Sequence, residues 1–304
     1  MNGEPLSTGA AYLRLAALLG MVLLVAAGGD RILGWAGQRA LLSSQIRFSR
    51  LYRGDLSADL LVLGNSRAVN ALLAPALEER SGRAVRTLAW NGLSAELSRV
   101  FWEDWRDRHA APSLVLIEVS FLTGSNRQLS EFRPYFPHSP RLSELAQRDA
   151  PRAFWGCRTA ALYCLNSGLT MRALYYRRRS DQGWVNRYRI TPGLLAATDT
   201  LPAVPVAPVL PQNVAALKNI IAEATAAGTR VRLVYTPYLP AYRRKLRDVE
   251  AWLHSVEEAL GLPVADYSEA LDDPAFFSDR IHLNERGAEA LADLLQADGV
   301  LDLP

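Results

Sequence analysis

The chain has 304 residues, 49% of them apolar, and a formal net charge of +3. Length and apolar content suffice for one large α/β domain with an insertion, or for two small domains, without covalent staples. The small charge and the lack of any recognition motif argue against a nucleic-acid partner. Two cysteines without a Cys/His cluster give no reason to expect a metal, and no motif calls for a cofactor.

In chain order, Leu15 to Gly29 is apolar without interruption. Extended back to Ala10, it approaches the ~20 residues of a membrane-spanning helix, with Arg14 able to snorkel to the interface. Arg14 before it and Asp30 after it place the expected N-terminus in the cytoplasm and the body outside. A cleaved signal ending near Ala26-Ala27-Gly28 and a buried helix of a soluble protein are the rival readings. Residues 31–57 carry Ile32, Leu33, Trp35, Leu41, Leu42, Ile46, Phe48 and Leu51, the pattern of an amphipathic connecting helix.

Residues 59–64 form the first expected strand, since Leu60-Leu61-Val62-Leu63 reads as buried on both faces. It runs into Gly64-Asn65-Ser66 and then a helix expected from Ala68 to Arg80. A Ser beyond such a Gly turn stands at a strand's carboxyl end, a good place for a nucleophile. The plainer reading is that Ser66 caps the helix. Val85 to Trp90 is the second strand, ending in Asn91-Gly92, and Ala95 to His109 a helix. Leu114 to Val119 is the third strand.

Residues 125–212 break the pattern, interleaving Arg with Tyr, Phe and Trp, as in Tyr175-Tyr176-Arg177-Arg178-Arg179. Such a face suits sugar rings, an anionic polymer or lipid headgroups; a merely solvated basic face is the plain alternative. Cys157 and Cys164 pair if the domain lies outside the cytoplasm, or are two buried thiols. Pro202 to Pro211 reads as an extended linker. Asn213 to Ala227 is a helix, Arg230 to Tyr235 the fourth strand, and Leu246 to Leu260 a helix whose apolar stripe is core, with His254 on it read as structural. Pro263 to Tyr267 is the fifth strand. Asp279 and His282 then precede the last helix, an acid three residues before a base that it can orient.

Gly64-Asn65-Ser66 together with Asp279-Arg280-Ile281-His282 resembles the first and last sequence blocks of the SGNH (GDSL-like) hydrolase and acyltransferase superfamily, with Asn65 where many members have Asp. The resemblance covers roughly residues 58–124 and 228–298. The five strands, joined by helices, imply a flavodoxin-like three-layer α/β/α fold with a five-stranded parallel sheet, with an N-terminal transmembrane helix and an insertion after the third strand. The resemblance adds the site. It implies Ser66 as nucleophile, His282 as base and Asp279 as its orienting acid. The oxyanion donors would be the N–H groups of Ser66 and Gly92, with Asn126 the nearest Asn to the usual third position but out of the family's spacing; Asn65, Asn91 or Ser120 could substitute. The expected function is a serine ester hydrolase or O-acyltransferase acting on a cell-envelope polysaccharide. Its partners would be an acylated carbohydrate or acyl donor, the bilayer, and a membrane acyltransferase or polysaccharide synthase. Its place would be the inner membrane, single-pass, with residues 58–304 outside the cytoplasm. Two other classes stay open: a non-catalytic glycan-binding or scaffolding module of the same fold, and a nucleotide-binding domain, for which no phosphate loop is found.

Overall fold

The computed structural model describes residues 8–302; the predicted N-terminal segment's first seven residues lie outside that range. Helix α1 (Thr8–Leu42) has 35 residues, about 50 Å at 1.5 Å per residue. Among the described residues it is the one helix long and apolar enough to cross a membrane. Its large apolar side chains from Tyr12 to Val25 are all more than half exposed. The helix does not stop where its apolar stretch stops. It continues past the expected boundary at residue 30, and Leu41 is fully buried in the domain core. The connecting segment is therefore the end of α1 plus a separate short helix, α2 (Arg47–Arg53).

The main sheet is parallel throughout. Its strands are β1 (Leu60–Leu63), β2 (Val85–Thr87), β3 (Leu114–Glu118), β5 (Arg230–Tyr235) and β7 (Val264–Asp266), in the order β2-β1-β3-β5-β7. Counting only these strands, the order is 2-1-3-4-5, the flavodoxin-like doubly wound arrangement. On β1, Leu60 pairs with Val85 on one side and Leu114 on the other. Successive residues of β1 point to opposite faces, so Leu60 and Val62 enter one core while Leu61 and Leu63 enter the other. The first core is closed by α3 (Ser66–Ala71), α4 (Ala74–Ser81) and, from far along the chain, α14 (Glu285–Ala297). The second is closed by α5 (Ala95–Arg106), α11 (Pro211–Ala226) and α13 (Val249–Leu260), which bring Phe101, Trp105, Leu217 and Val256.

The single helix expected from Ala68 to Arg80 is two helices, broken at Leu72-Leu73. Pro75 is the reason: in an unbroken helix its ring would meet the carbonyl of Ala71, whereas near the start of α4 its missing N–H costs nothing. The insertion is helical, a 3₁₀ stretch over Asn126–His138 followed by α6 (Pro140–Asp149), α7 (Pro151–Thr159), α8 (Ala161–Leu165), α9 (Gly168–Tyr175) and α10 (Pro192–Asp199). The expected Pro-rich linker contains β4 (Val204–Pro205), paired in parallel with β6 (Leu246–Arg247) just after α12 (Pro240–Arg243). Leu246 thus belongs to a strand rather than to the stripe of α13, and the linker is held instead of swinging free.

Candidate active site

The order of the sheet reverses between β1 and β3, so their following connections leave to opposite faces and open a crevice at the carboxyl ends. Gly64 ends β1 with φ +146°, and a Cβ there would press on Ala68 and on Glu118 of β3. The turn is therefore tight as well as conformationally special. Asn65, not Ser66, caps α3: its Oδ1 accepts from the Arg67 N–H at 2.9 Å. That leaves the Ser66 hydroxyl free to look outward, against the plainer reading of it as a cap.

His282 is delivered by a loop with its own internal bracing. Asp279 Oδ1 accepts from the N–H groups of Ile281 (2.8 Å) and His282 (2.9 Å), closing a turn around the carboxylate. Ser278 N–H donates to the His282 carbonyl at 3.0 Å, and Phe277 pairs with Leu283 across the loop. Asn284 caps α14 through the Gly287 N–H and donates to the Ala275 carbonyl, anchoring the loop's far side. The imidazole then lies between two partners: Nδ1 is 2.8 Å from Asp279 Oδ2, and Nε2 is 2.8 Å from Ser66 Oγ. Burial opposes the charge on Asp279, but the hydrogen bonds from His282 Nδ1 and the loop N–H groups outweigh it and hold its carboxyl below the ordinary range.

Gly92 sits in a left-handed turn (φ +71°) that favours glycine, and Trp90 N–H donates to the Gly64 carbonyl at 3.3 Å, which lays the Asn91-Gly92 turn beside the Ser66 turn. No described residue accepts from the N–H of Ser66 or of Gly92. Asn126 is elsewhere. Its Oδ1 accepts from Ser94, and its Nδ2 donates to Glu96 and Asp149, both at 2.7 Å. The expectation that it faces the Ser66 turn does not hold, because two carboxylates and a hydroxyl of the neighbouring wall already use both ends of its amide. Position 65 offers a donor instead: Asn65 Nδ2 points across the crevice to Ser120 Oγ, 3.1 Å away. His254, read as structural, is an exposed residue of α13 beside Glu258.

Sequence reasoning missed what lies beneath the turn. Arg67 is 4% exposed and Glu118 fully buried, with Arg67 Nε donating to Glu118 Oε1 at 3.3 Å. Arg67 also donates to the Thr236 carbonyl after β5, and its guanidinium lies 3.5 Å above the Tyr238 ring. Glu118 Oε2 accepts from Ser120 Oγ at 2.5 Å. One buried ion pair thus joins the ends of β1, β3 and β5. The signal was present, since a Glu closing an aliphatic strand needs a buried partner.

A cavity of about 480 Å³ opens on Ser66, walled by Tyr235, Tyr238, Tyr242 and Trp252 and by Val204 to Ala207 of the Pro-rich segment. A larger one, about 560 Å³, surrounds Asn126, Arg148 and Asp149 and holds no nucleophile beside a base. Among the described residues no group of three His, Cys, Asp or Glu side chains is arranged to hold a metal.

No protein-family model matches the chain, and no curated protein matches it. Among solved structures it is similar to a candidate acylhydrolase from Bacteroides fragilis NCTC 9343, at 13% identity over 80% of this chain and 87% of that one, TM-score 0.38. It is also similar to a GDSL-like lipase from Bacteroides thetaiotaomicron VPI-5482, at 10% identity over 79% and 88%, TM-score 0.36. Both scores lie below 0.5, so the doubly wound fold rests on the strand order and register above, and the chemistry on the contact of Ser66 with His282.

Proposed function

We propose that this chain is an SGNH-type serine ester hydrolase or O-acyltransferase working on acyl groups of a cell-envelope polysaccharide. The observation that carries the reading is the line Asp279–His282–Ser66, two successive contacts of 2.8 Å between groups of matched chemistry. His282 Nε2 takes the hydroxyl proton as Ser66 Oγ attacks the ester carbonyl. Asp279, kept ionised, holds Nδ1–H and stabilises the imidazolium. The oxyanion meets the N–H groups of Ser66 and Gly92 and the Asn65 amide; each such donor contributes about 3 kcal/mol. His282 then returns its proton to the leaving alcohol, and the acyl group on Ser66 passes to water or to a sugar hydroxyl, with His282 as base again.

The setting supports an extracytoplasmic, membrane-bound enzyme. Cys157 and Cys164 are joined in a disulfide, a bond that persists in oxidising compartments, and α1 has the length and exposed apolar surface of an anchor. The aromatic cavity suits a sugar ring or acyl group larger than acetyl. One observation favours the non-catalytic alternative: Asn126 is committed to other partners.

The test separates the two. Ser66→Ala is expected to lower p-nitrophenyl acetate cleavage by about 10⁴ or more and to abolish labelling by a fluorophosphonate. Turnover at the wild-type rate, or a wild-type protein that never labels, overturns the enzyme reading.

A further inference from the structure

The α7–α8 corner of the insertion is mounted on α1 in an unusual way. Neither the end of α7 nor the start of α8 is capped by its own side chains; two neighbours on α1 cap both. Asp30 accepts from the N–H groups of Ala161 (2.7 Å) and Leu162 (2.9 Å), at the start of α8. Arg31 donates to the carbonyls of Arg158 and Thr159, at the end of α7. One turn further on, Gly34 and Gly37 let α8 lie directly against α1, since a Cβ at either would overlap Ala161 or Leu165. The Cys157–Cys164 disulfide closes the corner on itself. A small helical corner is thus fixed rigidly at one level of α1, the level where the apolar stretch ends.

What that corner presents outward does not suit water. Trp155 is 59% exposed and Leu162 42%, on a corner that the mounting prevents from turning them inward. On α1 itself, in the turn that follows Asp30 and Arg31, Trp35 is 58% exposed with the Arg39 guanidinium above its ring. Between positions 150 and 180 the chain has six Arg and no Asp or Glu. Two of those arginines, Arg152 and Arg158, lie exposed on α7 itself. Tryptophan with arginine at the mouth of an apolar helix is the chemistry of an anionic bilayer interface.

We propose that the α7–α8 corner is a second membrane contact: Trp155 and Leu162 seat in the headgroup layer of an anionic bilayer, fixing the height and tilt of the domain over the membrane. This rests on α1 being the anchor, and the experiment tells the two apart. In full-length protein reconstituted in vesicles of phosphatidylcholine and phosphatidylglycerol, a photoreactive benzoylphenylalanine replaces Trp155. A second preparation carries it at Tyr188, a still more exposed aromatic position (81%) on the segment that packs against the His282 loop. Irradiation is expected to give about tenfold more lipid adduct at position 155 than at 188, and less at 155 when phosphatidylglycerol is left out. Equal or absent adduct at 155, in protein that resists carbonate extraction, overturns the corner contact while leaving the anchor standing. Release of the protein by carbonate overturns the anchor, and the corner contact with it.

Discussion

At the scale of single residues, the site depends on which side chain does which job. Asn65 and Ser66 are both common helix caps, and the division of labour between them is decided by one bond, Asn65 Oδ1 to the Arg67 N–H. Asp279 is the residue whose replacement is most informative. Its carboxyl sits below the ordinary range because three hydrogen bonds favour the charged form against the opposing effect of burial. The stability it adds is therefore present above the unfolded value, about 4, and fades as pH falls through the lower folded value. Asp279→Asn is expected to leave the fold intact at neutral pH and to cut ester turnover by about 10⁴, since an amide cannot hold the required tautomer or stabilise imidazolium. In acid titrations followed by circular dichroism, the variant should lose less stability than the wild type below about pH 4. An acid limb identical in both proteins would mean that Asp279 is not the charged partner described.

At the scale of elements, the ends of three strands meet on the Arg67–Glu118 pair, whose side chains are 4% and 0% exposed. Removing one partner leaves the other charge buried without a counter-charge, at a cost of about 3–5 kcal/mol. Glu118→Leu or Arg67→Met is thus expected to lower the melting temperature by about 10 °C, and the double replacement to recover much of the loss. A double variant as unstable as the sum of the singles would show that the two charges do not act as a pair. The same pair carries the Ser66 turn, so the single variants should also lose turnover while fluorophosphonate still labels the folded fraction. The pieces of this arrangement were legible separately in the sequence: an aliphatic strand ending in Glu118, an Arg directly after Ser66. Their meeting was not, because 51 residues separate them and no local period links a strand end to a helix start.

At the scale of the molecule, α1 joins two environments. Its first half exposes apolar side chains with Arg14 as the one charge among residues 9–25, and its second half is part of the domain, packed on α8 and reaching the core at Leu41. The protein is expected to stay in the membrane pellet after carbonate extraction, with a mass that includes residues 1–28; a soluble protein shortened at its N-terminus would instead identify a cleaved signal. The insertion is equally two-sided. One end forms the corner on α1, while the other returns to the His282 loop, where Asn186 Nδ2 bonds both Asn70 Oδ1 and Ser278 Oγ and Ile190 N–H meets the Phe277 carbonyl. A segment that read as an insertion is thus a brace between the α1 end of the molecule and the loop that carries His282.

Local sequence suffices for the five strands of the main sheet, the long apolar helix and the short motifs, because burial on both faces, a bilayer's thickness and a glycine turn each leave their mark within a few neighbouring residues; the two-residue strands β4 and β6 leave none. Long-range packing is what brings Ser66 to His282 across 216 positions, turns Asn126 to Glu96 and Asp149, and lays the Pro-rich segment along the cavity beside Ser66. Those outcomes depend on which distant hydrogen-bonding groups the packed sheet brings within 3 Å of one another, and local composition holds no record of that distance.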